Sequence, residues 1–93
     1  MRIGIVSVTI NIPAARSLKD KRSVVRHIKD RACGRMNVSV AEVGEQDRWQ
    51  IAELAFVTVA GTHAIVEKRI SQISQFVRSD PTYVLVKLNT EII

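Results

Sequence analysis

RSLKDKRSVVRHIKDRACGR, Arg16 to Arg35, decides how this chain folds. Leu18, Val25, Ile28 and Ala32, with Val24 at the margin, recur at helical spacing and form one narrow apolar face. Ser17 is placed to cap the first turn, Asp20 to answer it as a capping-box variant, and Gly34 to end the helix. Eight basic side chains (Arg16, Lys19, Lys21, Arg22, Arg26, Lys29, Arg31, Arg35) face only two acids, Asp20 and Asp30. That is +6 in a chain whose total is +5, so the remaining six Lys/Arg and seven Asp/Glu sum to −1. The positive charge belongs to one element.

On either side of this helix the period changes to two. Arg2 to Ile12 alternates, with Val6, Val8, Ile10 and Ile12 on one face, and Pro13 ends the ladder. Met36 to Val43 alternates again, a polar turn follows at Gly44 to Arg48, and Trp49 to Ala60 predicts a long third strand. A register with Glu42 opposite Glu53 would set Val40 against Ala55 and Val38 against Val57. It would turn Leu54 and Phe56 to the other face. Thr62 caps a second helix carrying Val66, Ile70, Ile73 and Val77, which Ser79-Asp80-Pro81 terminates. Tyr83 to Ile92 is the last strand. Strand, helix, strand, strand, helix, strand predicts an α+β ferredoxin-like sandwich, an antiparallel four-stranded sheet with two helices on one face.

Ninety-three residues hold one hydrophobic core, so residues 1–93 are expected to be a single domain. The apolar fraction of 46% is that of an ordinary globular chain. The only cysteine, Cys33, excludes an intrachain disulfide and suits a reducing compartment. No segment approaches the ~20 apolar residues of a membrane span. The expectation is a cytoplasmic protein.

Ser17-Leu18-Lys19-Asp20-Lys21-Arg22-Ser23-Val24-Val25, then Asn37-Val38-Ser39-Val40-Ala41-Glu42-Val43, Asp47, Trp49-Gln50 and Ala52-Glu53-Leu54 resemble the YlxP-like family of small bacterial proteins. That resemblance spans nearly the whole chain and implies a ferredoxin-like fold. Family genes often lie among those for translation initiation and ribosome maturation, which implies a ribosome- or RNA-associated accessory role. The family offers no catalytic residues to carry over.

The residues themselves give the rest. A helix that is merely solvated interleaves Glu with Lys at i, i+4, and this one contains no Glu. Lys19, Lys21, Arg22, Arg26 and Lys29 are the expected contacts to RNA phosphate. The aromatic run of an RNA-recognition sheet is missing, so structured RNA reached by the helix is favoured over single strands on the sheet. Leu54, Phe56, Tyr83 and Leu85 are expected to share the open sheet face and form a homodimer interface. Glu42 and Glu53, with Asp47 nearby, have no His beside them in sequence. They read as ion-pair partners of Arg48 or a helix Arg and not as acid–base or metal groups. Trp49 reads as a strand anchor. His27, His63 and Cys33 lack catalytic settings. No enzyme activity, cofactor or metal is expected. Two alternatives are a homodimeric regulatory module taking a small ligand or protein partner, and an acylphosphatase-like phosphate hydrolase using Arg16 and the amides that open the Ser17 helix.

Overall fold

The computed structural model describes residues 1–93. In chain order it contains β1 (Arg2–Asn11), α1 (Leu18–Arg35), β2 (Ser39–Gly44), β3 (Ile51–Ala60), α2 (His63–Arg78) and β4 (Val84–Ile92). The sheet order is β2-β3-β1-β4 and every neighbouring pair is antiparallel, so the architecture is the ferredoxin-like α+β sandwich. Its edges are β2 and β4.

One face of the sheet builds the core. Val6, Val8 and Ile10 of β1 align with Phe56, Leu54 and Ala52 of β3, and all six are buried. Ile28 and Ala32 of α1 and Val66, Ile73 and Val77 of α2 close over them. Gly4 lets α2 come this near: a methyl group on it would stand 2.7 Å from Val66 Cγ1. Both helices start as the sequence directs. The Asp20 amide donates to Ser17 Oγ at 3.0 Å, and the Ile65 amide donates to Thr62 Oγ1 at 3.3 Å. Asp20 closes its box one residue early, accepting from the Arg16 amide at 3.0 Å. At its far end α1 runs through Gly34 and stops at Met36, which turns to extended backbone.

The hairpin differs from the expected register by one residue. Glu42 pairs with Leu54, Val40 with Phe56 and Ala41 with Ala55, and a bulge at Val43 sets Gly44 opposite Glu53. A one-residue slip exchanges the faces of a strand. Leu54 and Phe56 therefore lie in the core and cannot form a dimer interface from the open face. Tyr83 is buried as well, its hydroxyl donating to the Val77 carbonyl at 2.6 Å. Leu85 pairs with buried Ile10 and packs half-buried against the core. The open face carries the complementary set, Ile3, Ile5, Ser7, Thr9, Ala55, Val57 and Val59. Trp49, at 55% exposure and two residues before β3, is not a buried strand anchor.

The loop between α2 and β4 is tied to α1. Arg31 Nη1 donates to Asp80 Oδ2 at 3.0 Å, with its guanidinium 5.4 Å from the centre of the Phe76 ring. Burial raises the Asp80 pKa, but hydrogen bonds from the Thr82 amide and hydroxyl, with the Arg31 charge, outweigh it and leave it below 3.8. Burial, then the Asp80 charge, pushes Tyr83 up to about 12.

Candidate nucleic-acid interface

The five basic residues singled out on α1 do not form one group. Lys21 is 1% exposed and belongs to the interior. Its Nζ donates to the carbonyls of Glu45 (2.8 Å), Ile51 (3.2 Å) and, more weakly, Gln46 (3.4 Å). It also stands 2.8 Å from Glu42 Oε2. An ammonium has three protons, and three carbonyls already claim them. Glu42 Oε2 accordingly accepts no hydrogen bond, and the attraction there is ionic. Lys21 thus clips the β2–β3 turn, including left-handed Glu45 (φ 58°), onto the side of α1. Lys21 is withdrawn from the phosphate-contacting set, because its charge is enclosed and neutralised.

The signal was in the sequence. Leu18, Lys21, Val25, Ile28 and Ala32 follow the spacing i, i+3, i+7, i+10, i+14, so Lys21 occupies a position on the apolar stripe. A lysine there must find a buried acceptor set. Glu42, the side chain four residues before Gln46, supplies the countercharge.

The other four remain together. Lys19, Arg22, Arg26 and Lys29 are all exposed, and at the helical repeat they fall within an arc of about 80° and a rise of about 15 Å. None is in an ion pair; the salt bridges of the protein engage Lys21, Arg31, Arg48 and His63. Of the two acids in the helix, Asp20 is held in the N-cap and Asp30 borders the stripe. Between this stripe and the free edge of β2 runs a groove of ≈ 250 Å³, with Arg22, Arg26 and Lys29 at its rim and Val25, Val40, Ala41 and Glu42 along its wall. The arrangement presents fixed positive charge beside an apolar slot, and polyanions are what such a field attracts.

The remaining sequence candidates separate. Glu42 shares the core side with Leu54, whereas Glu53 pairs with Thr9 on the open face, so these carboxylates lie on opposite sides of the sheet. Glu53 instead folds over Gly44, where any side chain would collide with its carboxylate. Arg48 pairs with Glu45 at 3.7 Å and not with Glu42. At the start of α1, the Asp20 carboxylate already takes the Arg16 amide where a phosphate would have to sit. Exposed Cys33 donates to the Val38 carbonyl at 3.5 Å, and His63 pairs with Glu67 one turn on.

The chain matches the family described as "Protein of unknown function (DUF503)" over residues 3–90. It belongs to that family. Within it, the chain is 34% identical over 79 residues to "Uncharacterized protein YlxP" of Bacillus subtilis (strain 168), covering 85% of this chain and 86% of that relative. The family fixes kinship and leaves the activity open, so function rests on the geometry above. No helix is long and apolar enough to cross a membrane.

Proposed function

We propose that this protein is a non-enzymatic, cytoplasmic accessory protein that binds RNA, alone or within a ribosomal subunit, through Lys19, Arg22, Arg26 and Lys29 of α1. One observation carries the reading. Four cations share one face of a helix, point to solvent and have no carboxylate partner in the protein. Four like charges held along about 15 Å repel one another, and phosphate neutralises that repulsion while releasing counterions. Contacts of this kind set affinity and register on the polyanion but carry little sequence information.

The test has two parts. In a sucrose gradient of cell lysate at low salt, the wild-type protein travels with a ribosomal subunit. The Arg22→Glu/Arg26→Glu/Lys29→Glu variant, which removes no buried contact, stays at the top with an unchanged melting temperature. Comigration of that variant would remove the helix from the account. The homodimer expected from the sequence, if sheet-mediated, would use the open face, where Ile3, Ile5, Val57 and Val59 are among the apolar residues.

A further inference from the structure

Resting on that reading, we infer that the groove between α1 and the edge of β2 seats one unpaired nucleotide of a structured RNA, with its base in the slot and its flanking phosphates on the rim. Size is the first reason. The groove measures ≈ 250 Å³, and a cavity of about 150 Å³ is enough for benzene, so one heterocyclic base is the matching load. Chemistry is the second. The wall supplied by Val25 and Val40 is apolar, while Arg22, Arg26 and Lys29 stand along its rim, so a flat apolar ring attached to anions finds both halves of its surface matched. Guanidinium planes also stack on unpaired bases, replacing the aromatic platform that this sheet lacks.

Glu42 and the strand edge add a means of discrimination. One Glu42 oxygen is buried against Lys21, which balances its charge, so the carboxylate in the groove wall does not repel the phosphates as a free acid would. Its other oxygen is a free acceptor for an exocyclic amine, which cytosine has and uracil lacks. β2 pairs only with β3, and the backbone groups on its outer side have no strand to bond. A fully paired duplex cannot exploit any of this, because its bases are stacked inside.

The experiment compares three RNA hairpins by fluorescence anisotropy at low salt: fully paired, with one bulged cytidine, and with one bulged uridine. For the wild-type protein the bulged cytidine hairpin is expected to bind about five- to a hundredfold more tightly than the paired one, with uridine between them. Val25→Phe fills the slot and brings the bulged hairpins down to the paired level, leaving the paired affinity unchanged. Arg22→Glu/Arg26→Glu/Lys29→Glu loses all three. Equal wild-type affinity for paired and bulged hairpins overturns the seat while leaving the phosphate-binding stripe standing; failure to bind any hairpin overturns both. Should Val25→Phe not fold, amide shifts in the wild-type protein decide. Shifts at Val25, Val40 and Ala41 with the bulged hairpin and not the paired one support the seat, and their absence overturns it.

Discussion

The two helices lie on the same face of the same sheet, are each started by a side-chain hydroxyl, and use their charges in opposite ways. In α2 the buried positions are hydrocarbon: Val66, Ile73 and Val77, with Ile70 against Gly4. Two of its charged side chains are committed locally, while exposed Lys68 and Arg78 are in no ion pair and lie ten residues apart. His63 pairs with Glu67, and Arg69 reaches the Val59 carbonyl at 2.7 Å and Thr58 Oγ1 at 3.2 Å. In α1 one of the three buried residues is a lysine, and one solvent-facing stripe gathers four unpaired cations, with a fifth, Arg35, at the helix end. α2 is a packing element. α1 both packs and presents. Within α1 the division is sharp: Lys21 holds the fold together, and its neighbours Lys19 and Arg22 are free for a partner.

That contrast breaks most severely at Lys21. Lys21→Ala should destabilise the protein by about 3–5 kcal/mol, since it leaves Glu42 without its countercharge and takes the lysine donor from the Glu45, Gln46 and Ile51 carbonyls, of which Glu45 keeps the Arg48 amide. Urea denaturation measures it. Adding Glu42→Gln to that variant should recover part of the loss, because the uncompensated buried charge is then gone. If Lys21→Ala melts like wild type, Lys21 is no different from the exposed cations.

Acid and alkali probe the second tie between α1 and the rest of the chain. The Asp80 pKa is depressed in the folded protein, so its contribution to stability is present above about 3.8 and is lost as the pH falls through the lower folded value. Tyr83 is displaced the other way. Its contribution is complete below about 10 and is lost between about 10 and 12. Stability measured against pH should therefore decline at both ends. Asp80→Asn should flatten the acid limb and, by removing a negative charge beside Tyr83, lower the folded Tyr83 value towards 10 and so make the alkaline loss smaller. An unchanged acid limb in that variant would detach Asp80 from the pH response.

The smallest effect on stability belongs to the outer stripe. Lys19, Arg22, Arg26 and Lys29 have no partner in the protein, and each change to Ala should move the unfolding free energy by less than about 0.5 kcal/mol in either direction.

How much of this the sequence disclosed follows from how each feature is encoded. The six elements and both N-caps were legible, because periodicity and capping act within one or two turns of the chain. The hairpin faces were not. A register read from alternation alone cannot place the bulge at Val43, which shifts Glu42 onto Leu54 and buries Leu54 and Phe56 with it. The charge asymmetry of α1 was visible as composition, but composition does not separate Lys21 from Lys19. Position does, since Lys21 lies on the series shared by Leu18, Val25 and Ile28. The groove beside β2 could not be seen at all, because it exists only where the flank of α1 comes to lie beside the edge of the next strand in the folded chain.

The most direct measurement of the central proposal is the salt dependence of RNA affinity. Four phosphate contacts give a slope of log association constant against log salt of about −3 to −4, and each stripe residue changed to Ala should reduce its magnitude by nearly one. Arg48→Ala, on the β2–β3 turn, serves as the control and should leave the slope alone. A slope near zero in the wild-type protein, or one that Arg22→Ala and Arg26→Ala do not alter, would contradict the assignment of α1 as the RNA-binding surface.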